Sequence, residues 1–285
     1  MTKNKGFLFI NKPKNWTSFD VVNKVKHLLK FKKLGHLGTL DPMATGVLII
    51  TIGKATKLFD FLQKKKKTYI AKFEFGYSTD TLDSTGRVVD RIDKIPTIEE
   101  IENVIPKFIG EINQIPPKYS AKSIDGKRAY DLARQNIDFE LKPKLVNIYD
   151  TKLLKYENNV MTMKIICGSG TYIRAIGRDM ANALNSCATM TELVRTNIGK
   201  VSIDDCLSLD KLDENNIQNF IVPINEFLDC PILNLSIKDG QKLLNGQSVL
   251  VDTKDGEYKY NLHDDTLALI KVSDFRAKMM IYLGD

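Results

Sequence analysis

GHLGTLDPMATG, residues 35–46, is the stretch on which the reading of this chain turns. Glycines at 35, 38 and 46 and the Asp41–Pro42 step mark it as a loop between two regular elements. An Asp-Pro step has an ordinary use there, since its carboxylate accepts from nearby backbone N–H groups and shapes a turn. Upstream, Val21, Val22, Val25, Leu28 and Leu29 fall on one stripe at helical spacing, with Lys24, Lys26 and Lys30 left for the wet side. A helix capped by Ser18 and running to about Phe31 is predicted. Downstream, Val47 to Thr51 has the length and composition of a buried strand, and Ala55 to Gln63 reads as a short helix. A lone carboxylate, Asp41, therefore lies between a basic helix and an apolar strand.

Charge says what such a carboxylate would meet. The 285 residues are 43% hydrophobic, enough for a core, and carry a formal net charge of +7. Residues 1–70 hold 15 lysines against the three acids Asp20, Asp41 and Asp60, which is +12 and leaves −5 for the remainder. A basic part of this kind is an electrostatic footprint for a polyanion. No basic helix studded with Trp or Phe is visible, which favours nucleic acid over a membrane surface. A carboxylate in a cationic cleft suits nucleophilic or base chemistry on nucleic acid. The four cysteines, at 167, 187, 206 and 230, form no CxxC pair and the histidines number three, so neither structural zinc nor a disulfide framework is expected. With no GxGxxG or P-loop pattern, no metal and no cofactor are expected. No signal-peptide core or 18-residue apolar stretch occurs, so a cytoplasmic protein without a membrane partner is expected.

Further along, residues 68–75 alternate, with Tyr69, Ala71, Phe73 and Phe75 on one face of a predicted strand. Thr97 and Glu100 make a capping-box pattern for a helix to about Ile105. Strands are predicted at 107–115, 146–156 and 160–167. After the 168–170 glycine break a helix is predicted from Thr171 to Leu184, with Ile173, Ile176, Met180 and Leu184 as its stripe. Beyond Pro231 come short strands and closely spaced glycines. The chain is divided accordingly into residues 1–230 and a small β-rich unit, 231–285.

GHLGTLDPMATGVL resembles the catalytic-loop signature of the TruB family of pseudouridine synthases, and four further blocks resemble that family in the same order. These are FLFINKPKNWTSFDVV, KKTYIAKFEFGYSTDTLDSTG, IPPKYSAKSIDGKRAYDLAR and CGSGTYIRAIGRDMANAL. PILNLSIKDGQKLLNGQ and TLALIKV more weakly resemble a PUA-like RNA-binding domain. The resemblance implies an α+β fold: a mixed, mainly antiparallel sheet with flanking helices, plus a small PUA-like unit. It implies a stand-alone, monomeric enzyme that isomerises the tRNA T-arm loop uridine, position 55, by base flipping and without a cofactor. Asp41 would be the catalytic aspartate, Tyr69 would stack on the flipped uracil, and Arg174 would pair with Asp41. His36 would fill T-loop space vacated by the base, Leu193 would pack in the pocket, and Lys12 with Pro13 would support the site. Asn15 stands where the family has a glycine, tolerable in a left-handed turn; Ser123 and the Asn185–Cys187 stretch also depart from the pattern.

Lys64, Lys65, Lys66 and Lys67 form a run that ordinarily would be a solvated face. Its nearness to Tyr69 predicts instead a cleft rim within reach of T-arm phosphates. Two other classes fit Asp41: a non-catalytic RNA-binding protein on the same fold, and a nucleosidase or glycoside hydrolase. The latter commonly needs a second carboxylate or a metal, and no close acidic partner is visible in the sequence.

Overall fold

The segment that alternates around Tyr69 is the middle of a mixed, mainly antiparallel sheet. The computed structural model describes residues 4–120, 122–124, 126–135, 137, 139–262 and 265–284, with the side chains of 123, 124, 127, 128, 133 and 134 also outside the description. Its principal strands are β1 (Gly6–Lys12), β2 (Thr45–Ile52), β3 (Lys67–Phe75), β4 (Gly110–Gln114), β5 (Lys144–Glu157), β6 (Val160–Cys167) and β7 (Ala188–Ile198). Across the sheet the order is Leu207–Ser208, β1, β2, β7, β3, β6, β5, β4. The joins are antiparallel except two, Leu207–Ser208 on β1 and β7 on β2. The second parallel join is short, with Val194 opposite Thr45 and Arg195 opposite Gly46. It seats the end of the 35–46 loop directly on β7.

Strand β3 buries Lys67, Tyr69, Ala71, Phe73 and Phe75 on one face, one alternation earlier than the sequence reading began. That face packs on α3 (Ile173–Ala183), whose Ile173, Ile176 and Met180 join Phe73 and Met163 in one cluster. Gly177 permits the approach, because a Cβ there would lie 2.2 Å from a Phe73 ring carbon. Elsewhere α1 (Ser18–Leu29) lays Val21, Val22, Val25 and Leu28 against Leu8, Ile10, Leu48 and Ile50 of β1 and β2. Thr97 and Glu100 form the expected capping box before α2 (Ile98–Val104). Asn15 adopts the left-handed turn, at φ 66°. Ser123 has its side chain outside the described residues.

Three details depart from the sequence reading. The cap of α1 is Thr17, whose hydroxyl accepts from the Asp20 N–H while the Asp20 carboxylate accepts from the Thr17 N–H. An Asp three residues on closes the box on Thr17 and frees Ser18 to turn inward. Residues 105–108 form a 3₁₀ turn around Pro106, so the strand expected from 107 starts at Gly110. The short helix expected over 55–63 is a 3₁₀ segment, Gly53–Leu58, followed by one α-turn, Phe59–Leu62.

The C-terminal unit has α4 (Ile237–Leu244) on an antiparallel sheet of Val249–Leu250, β10 (Arg276–Tyr282), β9 (Asp265–Ser273) and β8 (Gly256–Leu262), in that order. Leu233, Leu243, Val249, Ile270 and Val272 form its own core. Leu269 and Leu283 turn the other way, into a cluster with Phe7, Val47, Leu58 and Phe227. Among the described residues no helix is long and apolar enough to cross a membrane.

Gly46 is the tightest point of the β2–β7 join. Its φ is +105°, and a Cβ would stand 2.2 Å from the Arg195 carbonyl oxygen. Gly110 also has positive φ, +98°, but open space around it. Gly110→Ala should cost about 1–2 kcal/mol, the left-handed penalty alone. Gly46→Ala should cost about 3 kcal/mol or more, since overpacking adds to that strain. Urea unfolding of the two variants measures the difference.

Candidate active site

Asp41 sits on a loop with almost no regular hydrogen bonding of its own, so side chains from elsewhere must satisfy its backbone. Ser18, turned inward from α1, accepts from the Leu40 N–H at 2.9 Å and donates to the Leu40 carbonyl at 3.3 Å. Lys12, fully buried, donates to the carbonyls of Pro13 (2.9 Å), Trp16 (2.6 Å) and Pro42 (3.2 Å). Burial lowers its pKa to about 8, although Asp41 nearby raises it. Arg195, 1% exposed, donates from Nε to the Val47 carbonyl at 2.8 Å and from Nη2 to the Gly38 carbonyl at 3.0 Å. Its Nη1 lies 3.5 Å from the Thr39 carbonyl. The backbone is thus held on both sides of Asp41.

The Asp41 carboxylate meets Arg174 in a two-point pair, Nε to Oδ2 at 2.9 Å and Nη2 to Oδ1 at 3.0 Å. Such planar pairing fixes orientation as well as charge. Arg174 also donates to the carbonyls of Thr81 (2.8 Å) and Tyr119 (3.1 Å), and Asp83 Oδ2 lies 3.6 Å from its Nη1. A cation in the first turn of α3 faces the positive end of that helix. Carboxylates on two sides of the guanidinium offset that repulsion. Asp83 is an acidic neighbour the sequence reading did not see. It is 5% exposed and taken up by Thr81 and Thr85, which places it behind Arg174 rather than in the cavity as a second acid.

A cavity of about 240 Å³ opens beside this pair, lined by Asp41, Arg174, Tyr69, Leu193, Lys67 and Arg195 among others. Tyr69 is 8% exposed; burial raises the pKa of its phenol, and the adjoining Arg195 works against that rise. Of the residues named from sequence, Asp41, Tyr69, Arg174, Leu193 and Lys67 meet here. His36 does not line the cavity. It ends the short strand Leu34–His36 on β2, where burial and then Arg195 lower its pKa against the backbone of Gly38, which raises it.

The lysine run divides. Lys64 and Lys66 are exposed, with the Lys66 ammonium 4.1 Å from the centre of the Tyr149 ring, and Lys65 is half-buried. Lys67 is not at a rim: it is 6% exposed, on the Tyr69 face of β3, because the alternation of the strand turns it inward. Arg195 was missed although it stands two residues after Leu193, on the same face of β7.

The fold and the cavity define a protein with a nucleobase-sized site on a mixed α+β sheet, a clamped carboxylate at one side of it. The model of the TruB family pseudouridylate synthase (N terminal domain) matches residues 26–173. The chain is 39% identical over 283 residues to a tRNA pseudouridine synthase B of Clostridium kluyveri, covering 96% of this chain and 98% of that one. It is 45% identical over 221 residues to a tRNA pseudouridine synthase B of Ureaplasma urealyticum, covering 76% of this chain and 96% of the relative. An H/ACA RNP bound to a substrate RNA containing 2′-deoxyuridine shares the fold, with a TM-score of 0.71 at 21% identity over 98% of this chain and 85% of that one. This chain belongs to the TruB family of pseudouridylate synthases. The sheet is the pseudouridine synthase fold, and the C-terminal sheet is an added, PUA-like antiparallel unit.

Arg174→Lys keeps a charge but loses the two-point pair, and a misplacement on the order of 1 Å at a reacting group costs about 10²-fold in rate. Single-turnover pseudouridine formation should fall by that amount. Asp83→Asn, one step further from the carboxylate, should lose about tenfold, with RNA affinity unchanged in both by equilibrium binding.

Proposed function

We propose that this chain isomerises the T-arm loop uridine of tRNA, position 55, to pseudouridine, with Asp41 as the catalytic carboxylate. The observation that carries the reading is the Asp41–Arg174 pair at the side of a cavity containing Tyr69. The names of the relatives support the substrate, and the basic N-terminal part supports a polyanionic one.

In the reaction the N1–C1′ bond breaks, the uracil turns, and C5 bonds to C1′; the C5 hydrogen leaves and N1 gains one. Nothing is oxidised and no group is transferred between molecules. The residues of this chain have separable tasks. The uridine must leave its stack, at roughly a few kcal/mol, and a face on Tyr69 offsets part of that cost because base–aromatic stacking tolerates any base. Leu193 gives an apolar wall. Arg174 holds the Asp41 carboxylate in one orientation toward the nucleotide, and the loop clamps mean that no backbone reorganisation accompanies reaction. His36 enters the T-loop space that the base vacates. Lys64, Lys65 and Lys66 lie along T-arm phosphates and set register without reading sequence.

The enzyme works as a cytoplasmic monomer on this reading, with tRNA as its one partner and neither metal nor cofactor in the chemical step. Residues 231–285 act as a separate RNA-contacting domain. Their own core supports this.

Asp41→Asn should leave fold and tRNA binding intact and lower the single-turnover rate on the order of 10⁵-fold, as single nucleophile replacements do. Pseudouridine mapping of a tRNA transcript measures it, and a rate within tenfold of wild type would remove the assignment. Replacing Lys64, Lys65 and Lys66 together by Gln should weaken tRNA binding and make the slope of log K against log salt shallower by about one to three. The rate at saturating enzyme should stay within about twofold; an unchanged slope returns the run to a merely solvated role.

A further inference from the structure

Two buried lysines adjoin the site, and they differ in what their ammonium groups have left to give. Lys12 directs its ammonium to three carbonyls, so its three N–H groups are taken. Lys67 is 6% exposed, and among the described residues its ammonium has one hydrogen bond, to the Gln63 carbonyl. Two of its three N–H groups therefore have no protein acceptor among the described residues. No carboxylate pairs with it among the described residues. The groups that act on its charge are another cation, Arg195 of β7, and the Cys167 thiol of β6. A buried ammonium short of acceptors is costly, and a ligand that supplied acceptors would relieve that cost.

Lys67 is placed where such a ligand would lie. It and Tyr69 are two residues apart on the same face of β3, a spacing of roughly 7 Å, and both line the cavity with Asp41 and Leu193. A uracil stacked on Tyr69 with its ribose toward Asp41 brings a ring carbonyl toward the Lys67 end.

We propose that Lys67 is a catalytic residue that donates a hydrogen bond to a uracil ring carbonyl and stabilises the charge that the detached base carries. This rests on the uridine-isomerisation reading. When the N1–C1′ bond breaks, its electron pair remains with the ring, spread over N1 and the carbonyl oxygens. An oriented donor in a dry site lowers the cost of that charge. C5 then bonds to C1′, the C5 proton goes to a base, and N1 takes up a proton; Lys67 keeps its own proton throughout. An isolated run of lysines gave no hint of this, because the inward turn of its last member is set by the strand.

The test uses the full chain and a T-arm stem-loop RNA with a single target uridine. Burial first, and then Arg195, lower the Lys67 pKa to about 8, so the ammonium is present below that pH and lost above it. Cys167, pushed up to about 11 by burial, and Tyr69, also raised, stay neutral across that window, whereas Lys12, likewise lowered to about 8, titrates in it in every variant, so variants are compared as rate ratios to wild type. At subsaturating enzyme, which reports the free protein, the wild-type rate should fall as pH rises through about 8. Lys67→Met should be about 10²-fold slower, as when one oriented donor is removed. The wild-type advantage over it should shrink as pH rises through about 8, and RNA affinity should stay within about threefold, because the lost contact is to the base rather than to a phosphate. The rate of wild type relative to Lys67→Arg, whose guanidinium stays charged, should fall through the same window. Replacing one target carbonyl oxygen by sulfur, in the 2-thio or the 4-thio uridine, should slow wild type and leave the Met variant unaffected, which identifies the oxygen. A Met variant with the wild-type rate, a rate ratio of wild type to the Met or Arg variant that does not change through pH 8, or both sulfur penalties retained in the Met variant would overturn the proposal. If the Met variant fails to fold, the Arg profile decides alone. A wild-type protein that makes no pseudouridine overturns the functional reading instead.

Discussion

A guanidinium cannot be taken out of water and left without acceptors, and that constraint on Arg174 organises the site. At 6% exposure it draws its acceptors from separate segments: Asp41 from the loop before β2, Thr81 and Asp83 from the segment after β3, and the Tyr119 carbonyl. These segments are far apart in sequence and meet around Arg174, at the start of the helix packed on β3. A buried ion pair is weak support for stability, because desolvation cancels much of the attraction. What it contributes here is direction. Each acceptor fixes one N–H vector, and the carboxylate of Asp41 is oriented by what remains.

The loop that carries Asp41 depends on the same economy of donors and acceptors. Gly38, at φ +80°, turns the loop out of the Leu34–His36 ladder, and carbonyls of Gly38, Thr39, Leu40 and Pro42 turn toward side chains. Lysine and arginine are donors without acceptor capacity, so Lys12 and Arg195 suit a place where only carbonyls need partners. Positive charge collects around the loop as a consequence, and Asp41 is the carboxylate set among it. The charge that the sequence displays in residues 1–70 is therefore not all surface. Lys12 and Lys67 are inside.

Periodic features of the sequence were readable because local sterics set them. The helical stripes of α1 and α3, the alternation of β3, the capping box at Thr97 and the left-handed turn at Asn15 each depend on residues within a few positions. Thr17 and Ser18 could both have capped α1, and the choice was settled by Asp20 together with a contact to Leu40, 22 residues away from Ser18. Asp41 was readable as a candidate carboxylate from its loop and the charge around it, but its pairing with Arg174 only through the resemblance, for no spacing rule links residues 133 apart. Asp83 lay inside a quoted block and Arg195 two residues after Leu193, yet both went unseen, since a charged residue on a strand or in a Thr-flanked turn reads as exposed until its partners are known. Lys67 misled for the same reason: its charge overrode an alternation that already placed it on the Tyr69 face.

The C-terminal sheet extends this point about lysines. It attaches to the first domain through Lys5, paired with Asp265 at 2.5 Å, and Lys57, which donates to the Tyr282 carbonyl at 3.0 Å. Lys54 donates to the Gly284 carbonyl, and its ammonium is 5.4 Å from the centre of the Tyr282 ring. Leu269 and Leu283 close the contact against Phe7 and Phe227. The unit is nearly neutral, with eight acids against seven Lys and Arg in residues 231–285, so it consumes cations of the first domain rather than adding to them. The lysines left facing outward include Lys64 and Lys66 before β3 and, on α1, Lys24 and Lys26, which stand two apart and so project to different sides of the helix, whereas Lys30, the C-cap of α1, is paired with Glu214 at 2.6 Å.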